Sequence, residues 1–459
     1  MNYSAFLRLF EKKSLIFFAG IGGISMSAVA RMAKNGGCRV RGYDLTKTAL
    51  TEGLEKDGIP VSYEFCEKDY EGVALVVYTG ALRKEDPVLA YPRGLGIPFL
   101  TRAEFLGFLM QRFENPVGVA GTHGKSTTSG MLTEIFLADT GRDPQIMIGA
   151  EMNKLGGTYR LGQGKDFLFE ACEYQDSFLQ FCPHIAVILN VEHDHADYFP
   201  TLDDVINSFV RFADLAEKGH AVINYDSENA RRVAQRTRTK VLFFSQKEET
   251  DVTAKNLSRE NGFWSFDLRL PDGSGGRVAL RVPGKHNVSN ALAAAGAAFL
   301  SGVPVQAILQ GLGAFTGVKR RFEYRGKCGD CLVFDDYAHH PDEIRATLTA
   351  AREMGYKKVT VVYQPHTFSR TQAYFNGFVE ALSLADEAIL MDIYPAREKP
   401  IPGITSAALA NAIPGACCPG TAKAIAEKLL AEKREGIVLV MGAGDIIHLT
   451  DRILTESAQ

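Results

Sequence analysis

The sequence predicts an α/β protein built of three successive units, and three observations carry that prediction. Apolar runs of strand length alternate with segments of helical spacing along almost the whole chain, the pattern of parallel sheets covered by helices. The alternation restarts twice, each time after a stretch rich in helix-breaking residues. The chain is 459 residues long, and at about 150 residues per domain that leaves room for three cores.

In the first series, residues 15–19 form a continuous apolar run, 25–35 have helical spacing, 38–43 read as a strand and 74–78 as another buried strand. A helix-like segment at 102–112 then runs into Asn115-Pro116, a breaker pair taken as the first boundary. The second series has strands at 117–120, 167–170 and 185–189 and a helix at 126–138. Between 252 and 282, short alternating segments with Gly and Asp turns predict a small antiparallel part. An alanine-rich helix follows at 289–301. After the glycine-rich stretch 311–317 the third series has strands at 332–335, 359–363, 388–391 and 437–441, and the second boundary is placed near Gly317. The expected organisation is an N-terminal Rossmann-like domain (1–112), a central P-loop-type ATPase domain with a parallel sheet plus a small antiparallel part (113–316), and a C-terminal Rossmann-like domain (317–459).

Composition removes several classes of function. Hydrophobic residues make up 46% and charged residues 23%, values of a folded globular chain that argue against fibrous or disordered architectures. With 51 Lys and Arg against 54 Asp and Glu, the net charge is −3, so no basic excess exists to neutralise a nucleic-acid backbone. Eight cysteines are too sparse for a disulfide framework and fit a reducing cytoplasm. Arg8, Lys12 and Lys13 precede the apolar run at 15–18, but that run is too short for a signal peptide. No stretch approaches the roughly 18 apolar residues of a membrane span, so the chain is expected to be unanchored.

The strongest motif is Gly121-Thr122-His123-Gly124-Lys125-Ser126-Thr127, between a strand and a helix. Small residues there let backbone N–H groups converge on phosphate oxygens, Lys125 supplies a point charge, and the Ser126 hydroxyl can ligate Mg²⁺. Val119 stands where the strict Walker pattern has glycine, with glycines at 118 and 121 instead. Near the N-terminus, Gly20, Gly22, Gly23 and Ser25 follow a strand and open a helix, with Asp44 ending the next strand. Such a turn suits a diphosphate, whether of a UDP-sugar or of NAD, and would equally serve tight packing alone.

Glu170-Ala-Cys-Glu173 and Asn190-Val-Glu-His-Asp-His195 end two neighbouring strands, with Asp197 close by. Carboxylates and imidazoles at strand C-termini beside a phosphate loop are natural Mg²⁺ ligands or their supports. His286, Asn287 and Asn290 open the alanine-rich helix, where they could cap it or present polar groups to a base. Lys319-Arg320-Arg321 is a basic cluster at a junction, able to reach a phosphate or simply to remain solvated. Tyr337 and His339 lie in Asp335-Asp-Tyr-Ala-His-His-Pro341, and His366 and Arg370 in Gln364-Pro-His-Thr-Phe-Ser-Arg-Thr371, each again after a strand. Cys328 and Cys331 form a C-x-x-C without a second pair and are read, like Cys417-Cys418, as structural.

Taken in order, these motifs make the chain resemble the Mur ligase family over essentially its whole length. The resemblance implies that ATP, with Mg²⁺, activates the carboxylate of UDP-N-acetylmuramate as an acyl phosphate, which the amine of L-alanine then attacks in peptidoglycan precursor synthesis. It implies that Lys125, Glu173, His195, Arg321 and Arg370 are catalytic, and that Ser126, Glu173 and His195 hold metal. ATP would be bound by Gly121 to Thr127 with His286, Asn287 and Asn290, and the UDP-sugar by Gly20, Gly22, Gly23, Ser25 and Asp44. Tyr337, His339 and His366 would face the amino acid or acyl phosphate. Partners are expected to be small molecules only, the enzyme a cytoplasmic monomer or homodimer. The alternative within the family is a ligase that recycles a murein tripeptide onto the same nucleotide sugar. Against the family pattern, Ser126 replaces a common Thr, Thr367 a common Arg, and residues after Glu173 diverge. Asn207-Ser-Phe-Val-Arg-Phe-Ala213 offers no counterpart of the carbamylated lysine of sister ligases.

Overall fold

The computed structural model describes residues 1–457 apart from 81, 84, 196, 197 and 433. It contains three sheets in chain order, each covered by helices. The first has five parallel strands in the order 61–62, 39–43, 15–19, 73–78 and 99–101. The third has six, in the order 323–328, 330–336, 435–441, 359–363, 387–391 and 417–420, with only the first pair antiparallel.

The second sheet is the largest, with ten strands. Its parallel centre places Asn115–Ala120 between Asp166–Glu170 and Ile185–Ile188, so the loop after Ala120 leaves the sheet where successive strands depart on opposite sides. A doubly wound sheet offers its binding crevice at that place. The expected antiparallel part is present as Val252–Glu260, Phe263–Arg269 and Gly275–Pro283.

Two stretches rich in breaker residues are regular structure. Asn115 and Pro116 open the strand, both buried; Pro116 lends its carbonyl to the His184 amide at 2.7 Å, and its missing N–H matters little at a strand's start. Gly311 and Gly313 form no loop. They lie in the helix Val305–Ala314, where a Cβ on Gly311 would stand 2.4 Å from the Ile135 Cα. The glycine is there so that this helix can press backbone to backbone on Lys125–Ala138, itself buried along almost its whole length.

The units are joined in two different ways. One apolar cluster runs without interruption from Phe6 and Phe105 of the first unit to Phe178, Phe209 and Phe212 beside the second sheet. The third sheet keeps its own apolar clusters on its two faces, around Tyr363 and around Val438. Its contacts with the second are largely polar, as the site below makes clear. No helix among the described residues is long and apolar enough to cross a membrane.

Gly311→Ala is expected to destabilise the fold by about 1–3 kcal/mol through overpacking against Ile135. A thermal or denaturant melt matching the parent would mean that the two helices are not in backbone contact.

Candidate active site

The phosphate loop is shaped by glycine. Gly121 and Gly124 both take positive φ, 146° and 83°, and a Cβ on Gly124 would lie 2.7 Å from the Asn290 Oδ1. The loop is braced from the next strand end. Asn190 accepts the His123 amide at 2.8 Å and donates to the His123 carbonyl at 3.1 Å, while Thr122 Oγ1 accepts the Glu192 amide at 2.9 Å.

Lys125 is folded back into the loop, donating to the carbonyls of Gly121 (2.6 Å) and Thr122 (3.1 Å) and pairing with Glu173 at 3.1 Å. Burial alone would lower its ammonium, but the negative charge of Glu173 and Glu170 outweighs that and raises it above the ordinary range. The cation is therefore held in place, charged, before any phosphate arrives. Glu170 accepts the Gly149 amide at 3.1 Å, and its charge also reaches Arg321.

Above the loop, the third unit supplies the opposite wall. Glu343, in the first turn of the helix Pro341–Glu353, accepts the amide of His339 at 3.0 Å through Oε2. Its Oε1 stands 3.3 Å from His123 Nδ1 and 3.5 Å from Arg321 Nη1. Burial would raise this carboxyl, but the charged His123 and Arg321 beside it hold it well below the usual carboxylate range. His123 also meets Glu192 at 3.1 Å through Nε2. Burial works against the charged ring, yet Glu192 and Glu343 lift it to about 10.

Around this junction, burial keeps one other histidine neutral. His339 is pushed down to about 4, with its Nδ1 3.0 Å from the Tyr337 carbonyl. Asp336, buried and only partly compensated by Arg321 and by the amides of Ala338 and Phe322, is pushed up to about 6. Tyr337 is sandwiched by cations, with the Arg320 and Arg321 guanidinium carbons 4.6 and 5.3 Å from its ring centre. Arg370 bridges to the second unit, donating to Asp194 at 3.4 Å and meeting His366 Nδ1 at 3.3 Å. Asp194 in turn holds the backbone of His195, whose ring packs 4.6 Å from that of Tyr174 and whose φ is 55°.

The structure thus gathers Lys125, Glu173, His123, Asn290, Arg321, Tyr337, His339, Arg370 and His195 about one seam. A cavity of about 300 Å³ opens there, lined among others by His123, Gly124, Thr127, His286, Asn287, Asn290 and Arg321. Asn287 and Asn290 are not caps: the helix His286–Leu300 has no side-chain cap, and they hydrogen-bond instead to the Pro283 carbonyl and to each other. Thr367 caps the short helix Phe368–Ala373 with φ 68°.

The Gly20–Ser25 turn lies apart, on the first sheet. Gly20 takes φ 79°, and the Gly22 amide donates to Asp44 at 2.7 Å, so Asp44 shapes the turn it was expected to serve. Arg102 donates to Ser25 at 2.7 Å, and burial lowers its guanidinium. Arg102 and Glu343 were both missed by the sequence reading. Each sits in the first turn of a capped helix, where a charged residue reads as ordinary capping. Asp197 lies outside the described residues. All eight cysteines are free, with Cys328 opposite Cys331 at the end of a hairpin.

The residues present suit a nucleotide with a hard cation. The loop is a cradle that a Cβ would fill, and the buried Ser126 hydroxyl with the carboxylates of Glu170 and Glu173 offers the oxygen donors that Mg²⁺ takes.

Comparison with known proteins agrees with this geometry. Family models described as the Mur ligase family catalytic domain, the Mur ligase middle domain and the Mur ligase glutamate ligase domain match residues 15–114, 119–298 and 320–444. A UDP-N-acetylmuramate–L-alanine ligase of Caldicellulosiruptor bescii is 41% identical over 448 residues, covering 96% of this chain and 98% of its own. The crystal structure of the UDP-N-acetylmuramate–alanine ligase of Thermotoga maritima superposes with a TM-score of 0.78 at 26% identity, covering 97% of this chain and 99% of its own. A murein peptide ligase of Psychrobacter arcticus shares the fold, with a TM-score of 0.72 at 24% identity over 97% of this chain and 99% of its own.

The His123 charge has a pH signature. A ring that titrates near 6.5 when free and at about 10 when folded contributes its full stabilisation below 6.5 and loses it as pH rises to 10. The unfolding free energy of the parent relative to His123→Gln should therefore shrink over that interval. A difference that stays flat in denaturant titrations from pH 6.5 to 10 would remove the charged ring from the junction.

Proposed function

The chain belongs to the Mur ligase family, and on that premise we propose that it joins L-alanine to the carboxylate of UDP-N-acetylmuramate, with ATP converted to ADP and phosphate. The observation that carries this reading is the seam itself. A charged lysine held inside a glycine-shaped loop faces an arginine, a tyrosine and a neutral histidine presented by the third unit. Relatives carrying the alanine-adding name match at about 40% identity over nearly the whole chain, whereas the murein peptide ligase shares the fold alone. The tripeptide-recycling alternative therefore has the weaker support.

The division of labour proposed here follows the three sheets. Residues 1–112 bind the UDP-sugar, with Gly20, Gly22, Gly23 and Ser25 at the diphosphate and Asp44 fixing the turn. Residues 113–316 bind ATP through Gly121 to Thr127, with His286, Asn287 and Asn290 lining the base and ribose side. Residues 317–459 close over the site and present Tyr337, His339, His366 and Arg370 to the amino acid and acyl phosphate.

Lys125 leaves Glu173 for the phosphates as they enter, and Arg321, buried beside the cavity, meets the transferring phosphoryl group from the other side. His339, neutral at working pH, can meet the incoming amine by a hydrogen bond without adding a positive charge beside it. Ser126, Glu173 and His195 would hold Mg²⁺, which supplies charge neutralisation at the phosphoryl oxygens. The substrates are small molecules. A cytoplasmic setting and a monomer or homodimer belong to the same proposal.

The reading is tested by phosphate release from purified protein with Mg-ATP and UDP-N-acetylmuramate, with and without L-alanine. Release that needs both, with a product heavier by one alanine residue, is expected; release only with a tripeptide acceptor would move the assignment to recycling. Lys125→Ala should abolish turnover while leaving UDP-sugar affinity nearly unchanged, and a folded variant that loses both equally would undo the division of labour. His195→Ala should shift the Mg²⁺ activation curve to higher concentration; an unaltered curve takes His195 out of the metal site.

A further inference from the structure

Beside the nucleotide cavity, four side chains from both walls of the seam converge: His123 and Glu192 from the second unit, His340 and Asp342 from the third. One donor atom from each lies within 4.8 Å of all the others, and among the described residues this is the one group of three or more His, Cys, Asp or Glu side chains so disposed. His123 Nε2 stands 3.1 Å from Glu192, and His340 Nδ1 3.5 Å from Asp342. The two imidazole rings are 5.1 Å apart.

We propose that these four residues form a site for a divalent transition metal, with Zn²⁺ as the fitting ion, that ties the third unit to the phosphate loop and slows turnover when filled. The donor set is two imidazoles and two carboxylates, which suits zinc and is foreign to Mg²⁺. Zinc–nitrogen and zinc–oxygen bonds of about 2.0–2.2 Å in a tetrahedron put neighbouring donors about 3.3–3.6 Å apart. The His123–Glu192 separation already lies close to that range, and the Asp342 amide occupies His340 Nδ1 at 3.4 Å, which leaves Nε2 of that ring for the metal.

Two further observations point to a ligand. His340 is 5% exposed and its Nε2 is buried with no hydrogen-bond partner, a cost the ligand-free protein carries. Behind His123, Glu343 stands at Nδ1 while Nε2 faces the cluster, the arrangement in which a carboxylate orients a metal-binding imidazole from its far side. A groove of about 350 Å³, lined in part by Glu192, His340, Asp342 and Tyr374, gives the ion a way in. On binding, the metal takes the place of the proton on His123 Nε2, which passes to solvent.

His123 belongs to the loop that must receive and release the nucleotide. Tethering it to Asp342 and His340 restrains both the loop and the parting of the two units. This inhibitory consequence rests on the ligase reading; the binding itself does not, and the two are measured separately.

The test uses the full chain freed of metal with a chelator and titrated with Co²⁺ as a spectroscopic probe. One Co²⁺ per chain, with the intense visible bands of a tetrahedral site and no thiolate charge-transfer band, is expected, displaced by one equivalent of Zn²⁺ but not by excess Mg²⁺. Glu192→Gln and Asp342→Asn, on opposite sides of the seam, should each weaken binding by about tenfold or more. Absence of a tetrahedral spectrum in the parent overturns the proposal, as does a thiolate band, which would put the metal at Cys328 and Cys331. Undiminished binding in a folded variant overturns it too; circular dichroism checks folding, and if one variant does not fold the other decides. In the phosphate-release assay with Mg²⁺ in excess, Zn²⁺ should inhibit the parent at about tenfold lower concentration than Asp342→Asn, each relative to its own rate. Metal bound without inhibition would sink the regulatory half alone.

Discussion

A buried carboxylate stays ionised only where positive charge and N–H groups surround it, and Glu343 finds them only when the second and third units are together. Its two oxygens meet His123 from the phosphate loop, Arg321 from the chain between the units, and the backbone of His339. No single unit contains the set. Removing one partner from such a group typically costs about 3–5 kcal/mol, because the remaining charge is left buried and unpaired. Closure of the seam and the geometry of the loop are therefore one event, since His123 belongs to both.

This junction differs in kind from the one between the first and second units. There, aromatic and aliphatic side chains from both sides share one apolar core, an interaction without direction that resists separation. The second seam is made of ion pairs and hydrogen bonds, including Asp194 with Arg370 and the Tyr374 hydroxyl on the His193 carbonyl. Directional contacts of this kind, buried at Arg370 and Asp194, hold only while the geometry is kept. The first unit shares a core with the second, while the third meets it through charged and hydrogen-bonded groups.

Within the seam, titration states are set apart by environment. His339 is kept neutral by burial, His123 is kept charged by two carboxylates, and Lys125 is kept charged by Glu173. Such separation puts fixed cations and an uncharged imidazole side by side in one seam. The strained backbone at Arg320 and Phe322, both at positive φ, brings Arg321 under Tyr337 and toward Glu343.

The sequence alone determined the alternation of strands and helices, because apolar runs and helical spacing record which faces are buried, and runs such as 15–19 and 359–363 reappear as strands with the same limits. It also determined the phosphate loop, since glycine, lysine and hydroxyl at fixed spacing after a strand leave little else for the backbone to do. It did not reveal that Gly311 and Gly313 lie inside a helix, because a glycine that admits another helix's backbone looks the same as one that bends a loop. Glu343 and Arg102 were invisible as site residues for a related reason. Each is locally a charged residue at the start of a helix, and what makes it functional is a contact with a segment 77 to 220 residues away. Only the tertiary structure decided those partners, because ionisation, burial and the meeting of His123 with His340 depend on distances between units that local spacing does not encode.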